Sequence, residues 1–464
     1  MQNPKLTNFF NYVKNKEVAV VGIGISNTPI ISMLVNAGAK VTAYDKTPQI
    51  QLGDIALGLK KQGVKLCTGP DYLENLNADI IFKTPGMRFD NPYLVKAQKA
   101  GSVITSEMEV FFDLCPCKII GITGSDGKTT TTSLIYELLK LSGKKVHLGG
   151  NIGQPILGRI ADISDDDYVV VELSSFQLHT MKKSPHIAVV TNVSPNHLDI
   201  HKSMDEYVEA KSNIFRFQAE NDILVVNWDN EITRNFANSA KGSVLGFSLS
   251  GKLDIDGAFY DQNIIYLKEN GANNKLLERQ NLKLRGDHNV DNFMAAVCAV
   301  KGICSSMDIK KVALSFGGVR HRIEFVREHN GVRYYNDSIG SSPTRTIATL
   351  KSFEQKVALI AGGYDKKLPF DKLGAEVLNQ VSRLYLTGDT ALKIKAAVES
   401  APGYDSAKLP IKVIDDFDTA VLTAAKESIN GDIVLLSPAC ASFDKFKNFE
   451  QRGDRFVQLI KNLK

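Results

Sequence analysis

KIIGITGSDGKTT, residues 118–130, joins an apolar run to a glycine-rich turn, and a helical pattern follows from near Thr130. Glycines let successive backbone N–H groups point at an anion, and the N-terminus of the following helix adds its positive dipole. Lys128 would supply a mobile cation, and the hydroxyl of Thr129 can ligate magnesium. The usual pattern has a glycine five positions before Gly127, where this chain has Ile122, so a tight turn capped by polar residues is the alternative. The order of strand, turn and helix favours a site for nucleotide phosphates.

The length and composition of the chain indicate a multidomain globular protein. Its 464 residues predict about three domains of roughly 150 residues each. Hydrophobic residues make up 43% and charged residues 23%, which is enough apolar content for buried cores. No apolar run approaches the length of a membrane span, and the first residues lack a signal-peptide pattern. We therefore expect a cytoplasmic protein with no membrane partner.

The charge and the cysteines narrow the range of partners. A formal net charge of +5 is modest for this length, and without a block of lysines or arginines we expect no nucleic-acid partner. Anionic small molecules would account for the charge equally well. Only two of the six cysteines lie close together, and no second pair has metal-binding spacing, so reduced thiols are expected. The cysteines are Cys67, Cys115, Cys117, Cys298, Cys304 and Cys440.

Short β-rich runs alternate with helical stretches along the whole chain, which predicts an α/β fold with mostly parallel sheets and crossover helices. Residues 18–24 are VAVVGIG, a helical stretch follows through Gly38, and a second strand ends at Asp45. This opening is Rossmann-like, although Asn27 stands where the dinucleotide fingerprint prefers glycine or alanine. Boundaries near residues 113–117 and 316–318 predict domains of residues 1–115, 116–317 and 318–464.

Polar side chains follow apolar strands downstream of the glycine-rich turn. Glu172 closes one such strand, where a carboxylate can hold a nucleotide's magnesium; a solvated strand-end glutamate is the alternative. His197 could ligate a metal. Its i,i+4 partner His201 comes without the glutamate of the zinc-protease motif, so this pair does not predict a zinc site. From its sequence context alone, Lys211 is expected to be a surface lysine on a helix.

A further helix is predicted to start in GDHNVDN, residues 286–292. Asn289 and Asn292 would share one face of that helix at i,i+3 spacing, and their amides suit the hydrogen-bonding edge of an adenine. Capping of the helix N-terminus is the alternative role, and Asp287 could fill it instead.

A series of motifs, in order along nearly the whole chain, resembles the Mur ligases: TGSDGKT, GGNIG, ELSSFQL, NVSPNHLD, AKSNIF, GDHNVDN, HRIE, NDS and SPACASFDKFKNFEQRG. The related folylpolyglutamate synthases usually have GKGS in the loop where this chain has GKTT. The resemblance implies ATP-driven amide bond formation through an acyl phosphate, in the cytoplasmic synthesis of peptidoglycan precursors. It also implies a Rossmann-like N-terminal domain for a UDP-linked substrate, a central P-loop ATPase-like domain, and a Rossmann-like C-terminal domain for the acceptor amino acid.

The partners implied by the resemblance are the small molecules UDP-N-acetylmuramoyl-L-alanine, D-glutamate and ATP. The implied cofactors are ATP, two Mg²⁺ ions and a carbamylated lysine at Lys211. We expect a monomer, because no long heptad or apolar stripe is evident. A different acceptor amino acid stays open, since Ile339 follows NDS where better-known members have a lysine. Alternatives outside the class are a nicotinamide-dependent oxidoreductase built on the first glycines, and a nucleotide-binding switch without synthetic chemistry.

The resemblance assigns residues to each substrate. Catalysis would depend on Lys128, His197 and Lys211. The metal ligands would be Thr129 and Glu172, with His197 and carbamylated Lys211 at the second ion. The ATP-binding residues would be Gly124, Ser125, Asp126, Gly127, Lys128, Thr129, Thr130, Asn289, Asn292, Arg322 and Asp337. The UDP substrate would contact Gly22, Gly24, Asp45, Thr84, Gly86, Asn151, Ser174 and Gln177. The acceptor would contact Ser341, Lys366, Ser442 and Phe449, and a solvated turn is the alternative role for Lys366.

Overall fold

The computed structural model describes residues 3–24, 27–151, 155–195, 201–251, 253–284, 286–366 and 368–464. The chain divides into two compact units, unit 1 (Met1–Phe316) and unit 2 (Gly317–Lys464). Unit 1 contains two sheets and unit 2 contains one, and neighbouring strands are mostly parallel in all three. The predicted α/β class with mostly parallel sheets is confirmed. Within the described ranges, we find no helix with the length and apolar character needed to cross a membrane.

The first sheet of unit 1 has five parallel strands in the order β3-β2-β1-β4-β5, which is Rossmann-like. Its strands are β1 (Glu17–Val21), β2 (Lys40–Asp45), β3 (Lys65–Thr68), β4 (Ile80–Phe82) and β5 (Val103–Thr105). Its helices are α1 (Pro4–Val13), α2 (Thr28–Asn36), α3 (Gln49–Lys61), α4 (Pro92–Lys99) and α5 (Glu107–Leu114).

Asn27, the residue at which the first loop departs from the dinucleotide fingerprint, has a structural role of its own. Its side chain is 2% exposed, and its amide nitrogen donates to the carbonyl oxygens of Val21 at 3.0 Å and Gly22 at 3.1 Å. The amide therefore satisfies backbone acceptors at the end of β1, where a glycine would only allow close packing of the helix.

The second sheet of unit 1 has nine strands in the order β14-β13-β12-β11-β10-β9-β6-β8-β7. The strands are β6 (Lys118–Thr123), β7 (Val146–Gly150), β8 (Tyr168–Glu172), β9 (Ile187–Val190), β10 (Ile223–Asn227), β11 (Ser243–Ser248), β12 (Gly257–Asp261), β13 (Ile264–Glu269) and β14 (Ala272–Glu278). The α-helices are α6 (Lys128–Leu141), α7 (Ser175–Leu178), α8 (Met204–Arg216), α9 (Glu231–Phe236), α10 (Asp287–Ala299) and α11 (Ser306–Ser315). Three short 3₁₀ helices are Leu157–Asp162, Ala237–Ser239 and Arg279–Asn281.

The last three strands of this sheet form an antiparallel meander, which the expected pattern of parallel crossovers does not contain. Both of its turns have two central residues with positive φ: Gln262 (46°) with Asn263 (64°), and Asn270 (50°) with Gly271 (82°). Two-residue turns of this kind match the twist of a hairpin. The Asn-Gly pair at 270–271 is the sequence signal for this departure.

The strands at the middle of the second sheet are buried on both faces. Ile119 of β6 packs in one hydrophobic cluster with Val169, and its neighbour Ile120 packs in another with Leu134 of α6 and Phe293 of α10. Continuous apolar runs such as this are typical of parallel strands that are covered by helices on both sides. Polar side chains of this part of the sheet therefore come mainly from the residues at and after the strand ends.

Unit 2 has one six-stranded sheet in the order β15-β16-β20-β17-β18-β19, and only the β15-β16 pair among these named strands is antiparallel. The strands are β15 (Glu324–His329), β16 (Val332–Asn336), β17 (Val357–Ala361), β18 (Val381–Leu386), β19 (Ile411–Val413) and β20 (Ile433–Leu436). The helices are α12 (Pro343–Lys351), α13 (Asp371–Gln380), α14 (Ala391–Glu399), α15 (Phe417–Glu427) and α16 (Phe449–Lys461).

Arg452 on α16 joins this helix to the ends of two strands in unit 2. It is 2% exposed and donates to the Ser338 hydroxyl at 3.0 Å. It also donates to three carbonyl oxygens, those of Ser338 at 2.9 Å, Cys440 at 3.0 Å and Ala441 at 3.1 Å. Burial lowers the pKa of Arg452 to about 10. The guanidinium therefore holds the loops after β16 and β20 through hydrogen bonds that no shorter side chain could replace together.

We predict that Arg452→Ala lowers the local free energy of opening around α16 and β20 by about 3 kcal/mol or more, because it leaves several buried acceptors unsatisfied. Amide hydrogen exchange measures this quantity directly. The matched control is Arg455→Ala on the same helix, which removes an ion pair with Asp418 at the surface and should change protection little. Equal losses in the two variants would contradict the structural role of Arg452.

Candidate functional site

The site is built where three neighbouring parallel strands end at one edge of the second sheet. The strand order places β6 between β9 and β8. The glycine-rich turn follows β6, Glu172 ends β8, and Thr191 follows β9. Since parallel strands present their carboxyl ends at the same edge, these polar groups converge there.

The turn packs so closely against its neighbours that glycine is required at two positions. Gly124 has a φ of +151° and Gly127 a φ of +80°. A Cβ atom on Gly124 would lie 1.9 Å from Thr191 Oγ1, and one on Gly127 would lie 2.2 Å from Asn292 Oδ1. The Thr191 hydroxyl also donates to the Asp126 carbonyl at 2.5 Å. The backbone of the turn is thus clamped between the end of β9 and helix α10.

Helix α6 begins at Lys128, two residues earlier than the sequence pattern suggested, with Gly127 in the N-cap position. Within the described residues, its N-terminus has no side-chain cap, which is the arrangement of an anion-binding helix. Lys128 Nζ donates to the carbonyl oxygens of Gly124 and Ser125, both at 2.9 Å. The Lys128 amine therefore lies over the glycine-rich turn, where it is predicted to bind phosphate. Thr130 is the third residue of α6.

Glu172 is buried at 2% exposure and is not the solvated strand-end residue of the alternative interpretation. Its Oε2 accepts a hydrogen bond from the Thr129 hydroxyl at 2.7 Å, and its Oε1 accepts one from the Asn151 amide at 3.0 Å. A hydroxyl and a carboxylate oxygen in contact are the hard ligands that Mg²⁺ prefers. Asn151, which was predicted to contact the UDP substrate, thus lies beside the predicted metal ligands.

Lys211 is 1% exposed, so the expectation of a surface lysine is wrong. Its Nζ donates to the Gly124 carbonyl at 2.8 Å and to Thr123 Oγ1 at 3.4 Å, and it lies 4.7 Å above the ring of Tyr207. Burial, and secondarily the charge of Lys128, hold the pKa of the Lys211 amine well below its usual value. Lowering the pKa of a lysine amine raises the fraction that is neutral, and the neutral amine is the nucleophilic form.

The glycine-rich turn is also held by three residues for which the sequence predicted no role. They are Asn192 and Ser194, which follow β9, and Tyr207 of α8. The Ser125 hydroxyl donates to the Ser194 carbonyl at 2.9 Å and lies 3.1 Å from Tyr207 Oη. The Asp126 backbone N–H donates to Asn192 Oδ1 at 3.0 Å. The polar run after an apolar strand was a signal for these contacts. His197 lies outside the described residues.

Asn289 and Asn292 are interior residues of α10 and do not cap it, because Gly286 occupies the N-cap position. The Asn292 amide nitrogen donates to Asn289 Oδ1 at 3.1 Å, and Asn292 Oδ1 accepts from the Thr131 hydroxyl at 3.3 Å. The pair therefore lies beside the turn, with Asn292 packed against Gly127.

The predicted UDP-binding residues of the first sheet cluster at the carboxyl ends of β1, β2 and β4. Asp45 Oδ2 accepts the backbone N–H of Ile23 at 2.7 Å. Gly22 has a φ of +94°, and a Cβ there would lie 3.2 Å from Thr84 Cβ, so the loop after β1 and the loop after β4 are adjacent. Gly24 has open space around it, with no heavy atom of the described residues within 4 Å of an added Cβ.

Ser174 and Gln177 cap helix α7 together. The Ser174 hydroxyl accepts from the Gln177 backbone N–H at 3.3 Å, and Gln177 Oε1 accepts from the Ser174 backbone N–H at 2.9 Å. A cavity lies between this helix and the loop after β4, and its lining includes Gly86, Arg88, Phe176 and His179. Gly86 is therefore the predicted substrate residue that faces the cavity.

The predicted residues of unit 2 occupy different environments. Asp337 is 2% exposed and accepts from the hydroxyls of Thr349 and Ser437, both at 2.7 Å, and burial raises its pKa. Arg322 and Lys366 are exposed, Ser442 is buried, and Ser341 is half-buried. Phe449 is the first residue of α16, and its carbonyl accepts from the Ser338 hydroxyl at 2.8 Å.

Two family models match the chain: the Mur ligase middle domain over residues 122–300, and the glutamate ligase domain of Mur ligases over residues 321–440. Among curated proteins, the UDP-N-acetylmuramoylalanine--D-glutamate ligase of Acetivibrio thermocellus is 52% identical over 464 residues, with 99% of each chain covered. The enzymes of the same name from Clostridium novyi and Clostridium acetobutylicum are 52% and 51% identical, with 98% of each chain covered.

Solved structures share the fold at lower sequence identity. The UDP-N-acetylmuramate-alanine ligase MurC of Thermotoga maritima aligns with a TM-score of 0.53 at 20% identity, covering 97% of this chain and 100% of that one. A MurF of Acinetobacter baumannii aligns with a TM-score of 0.56 at 17% identity, covering 83% and 91%.

The fold and the glycine-rich turn define the class as an α/β protein with a P-loop-type turn on a mostly parallel sheet. Within that class, this chain belongs to the Mur ligase family.

We predict that Gly124→Ala destabilises unit 1 by more than about 2 kcal/mol, because a side chain there meets Thr191 and strains the backbone. The matched control is Gly143→Ala, just after the same helix α6, where φ is +75° and no described atom lies within 4 Å of the added Cβ. That control should cost about 1 kcal/mol from backbone strain alone. Denaturant unfolding of both variants measures the difference, and equal costs would show that the close packing of the turn contributes nothing.

Proposed function

We propose that the chain is an ATP-dependent carboxylate–amine ligase that adds D-glutamate to UDP-N-acetylmuramoyl-L-alanine in bacterial peptidoglycan precursor synthesis. The carrying observation is the convergence of Lys128, Lys211 and the Thr129–Glu172 contact on one glycine-rich turn. The choice of substrates is supported by full-length similarity to curated relatives that bear this enzyme name.

In the proposed reaction, a carboxylate oxygen of the muramoyl substrate attacks the γ-phosphorus of ATP, giving an acyl phosphate and ADP. The neutral amine of D-glutamate then attacks the acyl carbon, phosphate leaves with the electrons of the C–O bond, and the attacking nitrogen gives up a proton to the departing phosphate or to water. Both steps bring anionic groups together, so positioning and charge neutralisation supply most of the rate enhancement. Lys128 and the uncapped N-terminus of α6 would hold the β- and γ-phosphates, and the position of the Lys128 amine over the glycine-rich turn supports this assignment.

The donor set beside the turn fits a magnesium ion. Thr129 and Glu172 provide two hard oxygen ligands in contact, and the buried carboxylate is held in place by Asn151. Bound magnesium would neutralise charge on the phosphate oxygens. These side chains are the residues that we propose to hold the first ion, and His197 would belong to the second.

We propose that Lys211 acts as a carbamate. Its neutral amine would attack the carbon of CO₂, forming the N–C bond and releasing one proton, which turns a cation into a carboxylate-like anion. Burial and the nearby charge of Lys128 support this step, because both disfavour the ammonium form of Lys211. The product would be an anion beside the turn, suited to orient a second magnesium ion.

The remaining predicted residues are proposed to bind the other two substrates. Gly22, Gly24, Asp45, Thr84, Gly86, Asn151, Ser174 and Gln177 would bind the UDP-linked substrate. Asn289, Asn292, Arg322 and Asp337 would bind ATP, and Ser341, Lys366, Ser442 and Phe449 would bind the acceptor. Ile339 offers no charge to a dicarboxylate, so Lys366 would provide the cation for acceptor recognition. We propose that the enzyme acts as a cytoplasmic monomer.

We expect phosphate release from ATP to require both UDP-N-acetylmuramoyl-L-alanine and D-glutamate. L-Glutamate, L-lysine, diaminopimelate and L-alanine, assayed in parallel, should give only background release. Preference for one of these acceptors would retain the ligase chemistry and overturn the proposed substrate. Release that is independent of any amino acid would overturn ligation itself.

We expect Lys211→Ala to lower the turnover number by about 100-fold or more, because an anion that positions charge at the reacting phosphate is lost. Acetate or propionate should restore part of the activity by occupying the space of the missing carbamate. Lys140→Ala, on the exposed part of α6, is the control and should turn over normally in both buffers. Full activity of Lys211→Ala without added carboxylate would rule out the carbamate role.

A further inference from the structure

Two histidines and a glutamate, which are residue types that can ligate a metal ion, meet in unit 1, and none of them belongs to the contact between Thr129 and Glu172. His179 follows α7, His201 precedes α8, and Glu206 lies in the first turn of α8. One ligand atom from each of these three residues lies within 4.8 Å of the other two. His179 Nε2 lies 3.5 Å from Glu206 Oε1, and the rings of His179 and His201 have centroids 5.6 Å apart. We call this group the His-His-Glu cluster.

One pair of ligand atoms in the cluster already has the spacing of a tetrahedral zinc site, and all three ligand atoms lie within 4.8 Å of one another. Zinc binds nitrogen and carboxylate oxygen at about 2.0–2.2 Å, which separates two ligands by about 3.4 Å in a tetrahedron. The 3.5 Å between His179 and Glu206 is already close to this value. Imidazole ligands favour zinc and other late transition metals over Mg²⁺, which prefers oxygen alone.

Neighbouring residues hold the two rings in position. His201 Nε2 lies 2.9 Å from the Ser175 hydroxyl, and Phe176 stacks on the His201 ring with centroids 5.3 Å apart and planes 6° apart. Phe89 contacts His179 edge-on at 4.6 Å. Outer contacts of this kind fix the orientation of metal-ligating histidines.

Both carboxylate oxygens of Glu206 have hydrogen-bond partners outside the cluster, and Oε1 is the oxygen that lies near His179. Its Oε2 accepts the Lys202 backbone N–H at 2.6 Å, and its Oε1 accepts from Arg88 Nη2 at 2.8 Å. Arg88 also pairs with Asp90 through contacts of 2.9 and 3.1 Å, so it keeps a carboxylate partner when Glu206 turns to a metal. Arg88 and Lys83 line the cavity beside His179, and their positive charge opposes a divalent ion, so we expect weaker binding than at a site without these cations.

We propose that His179, His201 and Glu206 bind one divalent transition metal ion, for which Zn²⁺ is the best match, separately from the magnesium site. The ion would join the end of α7 to the start of α8. Helix α7 is capped by Ser174 and Gln177, and α8 carries Lys211, so occupancy would fix two elements of the site at once. The fourth ligand position would be filled by water from the adjacent cavity.

The test uses the full chain without an affinity tag, freed of metal by a chelator and dialysed. Isothermal titration with Zn²⁺ should give one ion per chain, unaffected by excess Mg²⁺. His179→Ala, at a half-buried position, should weaken binding by more than about 100-fold, since even outer contacts of metal ligands are worth 10–100-fold. Glu206→Gln is a second variant that preserves shape and should also weaken binding. Absence of zinc binding to the wild-type chain would overturn the proposal.

Two controls separate this site from others. His329→Ala removes a histidine of unit 2 and should leave zinc affinity unchanged. The double variant Cys115→Ser/Cys117→Ser removes two buried thiols whose sulfur atoms are 3.7 Å apart and should also retain binding. Co²⁺ bound to the wild type should give d–d absorption without a thiolate charge-transfer band. Binding that survives His179→Ala, or that depends on the two cysteines, would overturn the His-His-Glu cluster as the site.

Discussion

The close approach of the glycine-rich turn to its neighbours is the constraint on which the rest of the site depends. Thr191 and Asn292 occupy the space where side chains at positions 124 and 127 would lie. Because both positions are glycine, the backbone can pass between the end of β9 and helix α10, and helix α6 starts at Lys128. The carbonyl of Gly124 is thereby presented to two amines from different helices. Close backbone packing, rather than any single ion pair, sets the positions of the groups that we propose to handle phosphate.

The burial of Lys211 was encoded in the sequence but was not predicted from it. Motif context alone placed it on a surface, and the structure buries it. Its position was nevertheless encoded in the helical period, because Tyr207, Ala210 and Ile214 of α8 are all fully buried and share a face with it. A charged residue inside an apolar stripe indicates a buried ionisable group. The physical cost of burying it could be known only once the strands that cover that face were in place.

The fold was more predictable than the contacts. Alternating strands and helices predicted the parallel sheets, and the Asn-Gly pair at 270–271 carried the signal for the antiparallel meander. The glycine-rich turn and Lys128 were predicted from the spacing of the glycines. The contacts of Glu172 with Thr129 and Asn151 were not, because they depend on the order of β7, β8 and β6 in space. The His-His-Glu cluster was less predictable still. The i,i+4 pair His197 and His201 did not predict a zinc site, and His179 follows a different helix, α7.

Burial and mutual repulsion disfavour the cationic form of one of the two lysines at the turn, Lys211. Both amines donate to the Gly124 carbonyl, so the two nitrogens lie within about 6 Å of each other, where two full charges would repel by a few kcal/mol at an effective dielectric constant of about 20. Lys128 is partly exposed, and solvent stabilises its charge. Lys211 is 1% exposed and loses that stabilisation, and the charge of Lys128 opposes its protonation further. Conversion of Lys211 to an anion would replace this repulsion by attraction, so the geometry that disfavours a second ammonium group is the same geometry that favours the proposed carbamate.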